Sequence, residues 1–209
     1  VIKYTINTIK QVSREKIYKA PIKDTFKSIN IHNPDVLYFS DVSSYEEIKF
    51  LGDLAMSGSL TMTTINASNS LAALKKLMNY DFLLEDMVEF LDIIMAQKLV
   101  KRLCNKCKEE TSLSKSILNK YKLPLNGAYF LPKGCQECRN SGYSGYTGVF
   151  EILPVNLTLL ELVSANASSH EISEHLEKEN FKSMYDSCCL KIANGITDIN
   201  QLKRNFKQI

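Results

Sequence analysis

No GxxxxGK[ST] segment occurs in this chain, and none of its eight glycines is followed by Lys-Ser or Lys-Thr. The phosphate-binding loop of nucleotide hydrolases needs glycines for close backbone approach, a Lys for the β- and γ-phosphates and a hydroxyl for magnesium. These 209 residues therefore carry no such loop. No apolar stretch approaches the roughly 20 residues that a membrane span requires. The opening, VIKYTINTIK, has no signal-peptide core and reads as mid-domain sequence, so the chain is expected to be a fragment. A net charge of +3 is too small to argue for nucleic acid or an anionic membrane surface. The three histidines, His32, His170 and His175, lack metal-ligand spacing and read as surface or core fillers.

What is present is the composition of an ordinary globular protein, 44% hydrophobic and 23% charged, with length for one or two domains and a hydrophobic core. Six cysteines without a secretory signal favour reduced thiols or metal over disulfides and point to a cytoplasmic setting.

Val36-Leu37-Tyr38-Phe39 is short, apolar and β-prone, as in a strand buried on both faces. Ser44-Tyr45-Glu46-Glu47 matches a capping box, and Ile48, Leu51, Leu54 and Ala55 recur at helical spacing until Gly58. A second β-prone run, Leu60 to Ile65, precedes the Leu71, Leu74, Leu77, Met78 stripe of another helix. Strand, helix, strand, helix with short connections makes a βαβ unit, an α/β fold with a parallel sheet. A third helix is expected from about Glu85 to Leu103, with Lys98, Lys101 and Arg102 at the negative end of its dipole. In open α/β sheets, ligands bind at the carboxyl ends of the strands. Asp41 stands just past the first strand and Asn66 just past the second, so both fall on one rim. An apolar run ending in an acid is also how many nucleotide hydrolases hold magnesium. Asp, Ser and Asn are equally what any strand-to-helix turn prefers, and both readings of Asp41 stay open on these grounds.

Residues 104–107 read CNKC and residues 135–138 read CQEC, with 27 residues between the pairs. Each C-x-x-C points two thiolates from a tight turn at one ion, and two such pairs complete the closed tetrahedral shell of a structural zinc. Cys104, Cys107, Cys135 and Cys138 are the expected ligands. Lys101, Arg102, Lys106 and Lys108 are expected to lower the thiol pKa values and offset the negative charge. A redox pair and two disulfides are the competing readings. A thioredoxin-like CxxC opens a helix, whereas CNKC is placed at the end of a basic one. Within the interval, Ser114 to Tyr121 reads as a short helix and Tyr129 to Leu131 as a strand. Cys188 and Cys189 sit in a helical stretch and read as core thiols.

SGYSGYTGVFEILPV, with glycines 142, 145 and 148, reads as a hairpin or looped connection. Helical stripes follow at Leu157 to Val163, Ile172 to Leu176 and Met184 to Ile192. Gly195 reads as a C-cap and Thr197 as the N-cap of a helix over Ile199 to Phe206.

Taken in order, the chain has a strand ending PDVLYFSDVSS, a helix to SG, a Thr-rich strand and QKLVKRLC. CxxC, a long interval, a second CxxC, SGYSGYTGVFEIL and a late GIT follow. This resembles the assembly ATPase family of type II secretion and type IV pilus systems across almost the entire chain. VIKY, with Lys3, looks like the tail of that family's aspartate box. The resemblance implies the second half of a RecA-like parallel-sheet ATPase core over 1–100. A tetracysteine zinc module over 101–147 and a C-terminal helical region over 148–209 would follow it. It also implies a cytoplasmic hexameric motor, peripheral at the inner face of the cell membrane, that turns ATP hydrolysis into pilin or pseudopilin assembly. Its partners would be the inner-membrane platform protein and other assembly subunits.

The catalytic motifs depart from that pattern. The family's Walker B segment ends Gly-Glu-Ile-Arg-Asp, and Ser40, Asp41, Val42, Ser43 and Ser44 stand there. The histidine box, Thr-Leu-His-Thr-Asn, reads Thr64-Ile65-Asn66-Ala67-Ser68. Ser59 replaces a second His, Tyr146 an Arg, and Ile31 an Arg before Pro-Asp. Asp41 is thus expected to be the remnant of a Walker B acid, and Asn66 a nucleotide-facing residue that cannot carry charge or move a proton. A structural zinc is expected, with ATP and magnesium only if an upstream half of the site is intact. The expected function is a weakly active or inactive member of the family. The alternatives are a non-catalytic scaffold that binds the platform protein or an active paralogue, and an unrelated zinc-stapled binding module. Near-neutral charge and the lack of basic residues interleaved with aromatics argue against nucleic acid.

Overall fold

A computed structural model of the chain describes residues 6–12, 22–80 and 82–206. Lys3 lies outside the described residues. In chain order the elements begin with α1 (Ile22–His32), β1 (Val36–Phe39), α2 (Tyr45–Met56), β2 (Leu60–Thr63), α3 (Ser70–Met78) and α4 (Leu84–Phe90). They continue with β3 (Ile93–Leu103), β4 (Lys108–Thr111), α5 (Lys115–Lys120), β5 (Tyr129–Pro132) and β6 (Tyr143–Pro154). The last are α6 (Leu157–Ser164), α7 (Ser169–Lys178), α8 (Met184–Ala193) and α9 (Ile199–Asn205). The chain divides into two compact units, residues 1–66 with 85–91, and residues 67–84 with 92–209. Among the described residues no helix is long and apolar enough to cross a membrane.

In the first unit β1 and β2 pair in parallel, Val36 opposite Leu60 through Phe39 opposite Thr63, as a βαβ unit requires. The connecting helix α2 buries Ile48, Leu51 and Leu54 at helical spacing. Phe50 stacks on Phe26 with ring centroids 3.9 Å apart. Ser44 caps α2 by accepting the Glu47 N–H, and Gly58, at φ 102°, turns the chain beyond the Ser57 C-cap. The capping box expected at Ser44 takes a shifted form. The Glu47 carboxylate accepts from the Ser43 N–H (2.7 Å) and the Ser43 hydroxyl (3.2 Å). β1 is not buried on both faces, because Val36 and Tyr38 are 54% and 60% exposed while Leu37 and Phe39 are half-buried. Its only strand partner among the described residues is β2, so one side of the run stays uncovered.

The second unit is built on an antiparallel ribbon, β3 against β6, in register from Ile93–Pro154 to Lys101–Tyr146 and, past a bulge, Leu103–Tyr143. Two expectations fail here together. The helix anticipated over Glu85 to Leu103 stops at Phe90, and the residues from Ile93 on are a strand. The supposed loop SGYSGYTGVFEILPV is the partner strand β6. Val88, Leu91, Ile94 and Met95 imitate a helical stripe, yet each half of the ribbon finds its partner some fifty residues away in sequence, a signal no local window contains. Gly148 serves packing, not a turn: a Cβ there would lie 2.7 Å from the Phe150 ring. CNKC accordingly closes a strand, and Lys98, Lys101 and Arg102 end no helix.

The inner face of the ribbon joins Val100 and Val149 to Leu118, Tyr129, Ile192 and Leu202 in the core. Cys188 and Cys189 are buried in it as expected, and burial pushes their thiols up to about 12 and about 11, so both stay protonated and inert. The α5 and β5 expectations stand. Gly195 turns the chain at φ 63°, but Asp198 rather than Thr197 caps α9, its carboxylate accepting from the Gln201 N–H. The Thr197 hydroxyl donates instead to the Lys101 carbonyl (2.7 Å).

Candidate metal centre and the loops beyond the parallel strands

Two strand pairings bring the cysteines together. β4 pairs with β5 so that Lys108 faces Pro132, which sets Cys107 beside the start of the second knuckle. The Gly134 N–H then donates to Cys107 Sγ (3.3 Å). At the end of the β3–β6 ribbon, the Cys104 N–H donates to the Gly142 carbonyl (3.0 Å). Each knuckle is a tight turn: the Lys108 N–H donates to the Cys104 carbonyl and the Asn140 N–H to the Cys135 carbonyl. Arg139, Asn140 and Gly142 all lie at positive φ, which wraps the chain back over Cys138. A Cβ at Gly142 would meet Pro132 at 2.4 Å, so the wrap needs glycine there.

The four Sγ atoms all lie within 4.8 Å of one another. Cys104–Cys135, Cys107–Cys138 and Cys135–Cys138 are 3.9, 3.8 and 3.7 Å apart. Zinc–sulfur bonds of about 2.3 Å at tetrahedral angles set sulfur atoms about 3.8 Å apart, so this donor set fits the ion. Cys104, Cys107 and Cys138 are buried and Cys135 is half-buried. The redox reading would need a thiol pair at a helix start, and neither knuckle opens a helix.

The electrostatics differ from those anticipated. Burial pushes the Cys107 thiol up to about 12, against the Gly134 N–H. Burial also acts to raise Cys138, but the N–H groups of Cys135 and Gly142 at 3.2 Å outweigh it and bring that thiol down to about 6. Backbone N–H groups thus favour the thiolates, and the cations that were to do so are engaged elsewhere. Lys108 Nζ donates to the Gly195 carbonyl and lies over the Phe130 ring. Lys101 lies over Tyr143, Arg102 donates to the Ser144 carbonyl, and Lys106 pairs with Glu137.

Asp41 and Asn66 belong to the other unit, on exposed loops after β1 and β2. Asp41 lies at φ 54°. Its N–H donates to Thr64 Oγ1 (2.9 Å), the Thr64 hydroxyl donates back to Asp41 Oδ1 (3.2 Å), and the Val42 N–H donates to the Thr64 carbonyl (3.2 Å). The strand ends are therefore tied at one rim, as the parallel topology requires, with Thr64 two residues before Asn66. The sequence has no GxxxxGK[ST] loop to cradle the phosphates of ATP beside them. His32 and His170 are exposed and His175 is half-buried, and none joins a candidate metal cluster among the described residues.

Sequence reasoning quoted Glu151 only as part of SGYSGYTGVFEIL and gave it no role. It is buried on β6, and its carboxylate accepts from the Ser70 N–H (2.6 Å), the Ser70 hydroxyl (2.7 Å) and the Met184 N–H (3.0 Å). It thus holds the first residues of α3 and α8, where the positive ends of helix dipoles favour an anion. A Glu between Phe150 and Ile152 in an apolar run was the available signal.

The sequence model of the family described as Type II/IV secretion system protein matches residues 1–204. The chain belongs to that family. It is 28% identical over 179 residues to the type IV pilus assembly ATPase PilB of Pseudomonas aeruginosa, covering 84% of this chain and 31% of that protein. It is 27% identical over 186 residues to the type II secretion system ATPase E of Vibrio cholerae, covering 87% and 36%. The chain thus spans about a third of the length of these relatives. Among solved structures, the ATPase DotB of Yersinia pseudotuberculosis superposes with a TM-score of 0.54 at 14% identity, over 87% of this chain and 39% of that one. DotB of Legionella pneumophila gives 0.54 at 14%, over 87% and 41%. At that identity the likeness is one of fold alone, and it is an α/β fold.

Proposed function

We propose that this chain is the C-terminal part of an assembly-ATPase-like protein that has kept the family's metal module and lost its nucleotide chemistry. The functional division follows the chain: the second half of a RecA-like core over 1–100, a zinc module over 101–147 and a C-terminal helical region over 148–209. Cys104, Cys107, Cys135 and Cys138 hold zinc in a closed shell with no open position, so the ion fixes structure and takes no part in a reaction. The protein works on the cytoplasmic side, against the inner-membrane platform protein and its fellow assembly subunits.

The observation that carries this reading is the contrast between the two sets of residues. The four sulfur atoms keep tetrahedral spacing. The Walker B and histidine boxes keep apolar Val42 and Ile65 but have Ser43, Ser44 and Asn66 where the family has charged or titratable groups. Asp41 is one methylene shorter than the family's Glu, and its carboxylate already accepts from Thr64. A scaffold role is favoured over motor action by the same contrast, because docking needs the fold and not the lost charged and titratable groups.

The test is magnesium-dependent ATP hydrolysis by the full natural chain that contains these residues, beside its Asp41→Asn variant. No turnover above background in either is expected. Turnover that disappears in the variant would restore Asp41 as a working acid and overturn the proposal.

A further inference from the structure

We infer that the metal centre is also the latch that holds the C-terminal helix α9, through a turn, residues 195–198, gripped by both arms of the cysteine cluster. This rests on the reading of the four cysteines as a metal centre. The first arm reaches the turn on either side of its knuckle. Leu103, next to Cys104, donates its N–H to the Ile196 carbonyl (2.9 Å), and Lys108, next to Cys107, donates Nζ to the Gly195 carbonyl (2.8 Å). The second arm reaches it through Tyr143. Gly142 donates its N–H to Cys138 Sγ (3.2 Å), and the adjacent Tyr143 hydroxyl donates to the Asp198 carboxylate (2.9 Å).

Asp198 is fully buried and does double duty, because its other oxygen accepts from the Gln201 N–H (3.1 Å) and caps α9. Gln201 in turn accepts from the Lys101 N–H (3.1 Å). A helix of seven residues is marginal without such support, so α9 depends on this cap and on the burial of Leu202. An ion at the centre of the four sulfurs would tie the two arms at one further point, beyond the bond from the Cys104 N–H to the Gly142 carbonyl and the Leu103–Tyr143 strand pair. Without it, the arms keep only those links and their N–H···S bonds. The turn then loses one grip or both, and α9 loosens with it. The C-terminal helix therefore reads the occupancy of the metal centre, and Tyr143 is the positioning residue for the second arm.

The experiment is hydrogen exchange followed by mass spectrometry on the full chain, as purified and after chelation, with zinc counted in each sample. Stripping is expected to raise exchange across residues 195–206 by at least about tenfold while α6, which follows the opposite end of β6 from Tyr143, changes by less than about twofold. Tyr143→Phe is expected to retain zinc and still show raised exchange across residues 195–206. The inference is overturned if exchange across residues 195–206 is equal with and without zinc. It is overturned equally if α6 and α9 rise together, since the ion would then stabilise the whole unit, or if Tyr143→Phe leaves zinc-bound exchange unchanged. A preparation that never holds zinc overturns the metal reading itself, and the metal count tells that failure from the others.

Discussion

Val36 and Val149 are the same residue on strands of two different sheets, one 54% exposed and the other fully buried. In the first unit, the parallel pair β1–β2 leaves Val36, Tyr38, Leu60 and Met62 open to solvent. In the second, the ribbon β3–β6 closes one face over a core of helices and keeps Val100, Val149 and Leu153 dry. Parallel strands are ordinarily covered on both faces, whereas antiparallel strands need cover on only one. The chemistry divides the same way. A tetracysteine centre needs only two turns, within residues 104–142, and the strand pairs that flank them. A nucleotide site needs groups from many strand ends, and the candidates named for it, Asp41 and Asn66, lie on loops in a sequence without GxxxxGK[ST]. On the proposed function, the local site survives with its fold and the dispersed one does not.

The comparison breaks hardest at the cysteines. Cys104→Ser is expected to abolish zinc binding and raise hydrogen exchange across residues 195–206 by at least about tenfold, read by metal analysis and mass spectrometry. Unchanged exchange with no metal would show that the C-terminal turn does not depend on the centre. Next come paired truncations of leucine. Leu153→Ala should cost about 2–5 kcal/mol in denaturant unfolding, while Leu60→Ala should stay within about 0.5 kcal/mol. Equal costs would erase the difference between the sheets. Glu151→Ala should cost about 3 kcal/mol, because it strips an acceptor from the starts of two helices. Glu151→Gln, which keeps one carbonyl, should cost less.

The smallest effect concerns pH. Hydrogen bonds from the Ser168 hydroxyl and N–H hold the Glu171 carboxyl below its ordinary range. A depressed carboxyl contributes stability that is present above its unfolded value and lost as pH falls through the folded one. The stability gap between the wild type and Ser168→Ala should therefore narrow as pH drops below the usual carboxylate range. A gap that stays constant would show that Glu171 adds nothing beyond the hydroxyl cap.

Much of this was written locally. Ser44, Gly58 and the Ile48 stripe announce α2, and the doubled CxxC announces a candidate metal centre, because a cap and each C-x-x-C depend on neighbours within a few residues. The ribbon was not legible, since Ile94 finds Leu153 only through the fold and Met95 imitates a helical position. Gly148 read as punctuation because the sequence does not reveal the Phe150 ring that fills its space. The basic residues around the knuckles were assigned to the thiolates on proximity in sequence, and strand geometry turns them to Gly195, Ser144, Tyr143 and Glu137 instead. Thr197 and Asp198 are both fair caps, and only the Lys101 carbonyl decides which of them is free for the helix.

Native mass spectrometry of the chain purified without added metal, then exposed to magnesium and ATP, tests both halves of the contrast at once. The expected mass is one chain with one zinc ion and no nucleotide. A zinc-free chain, or a stoichiometric adduct of magnesium and ATP, would contradict it.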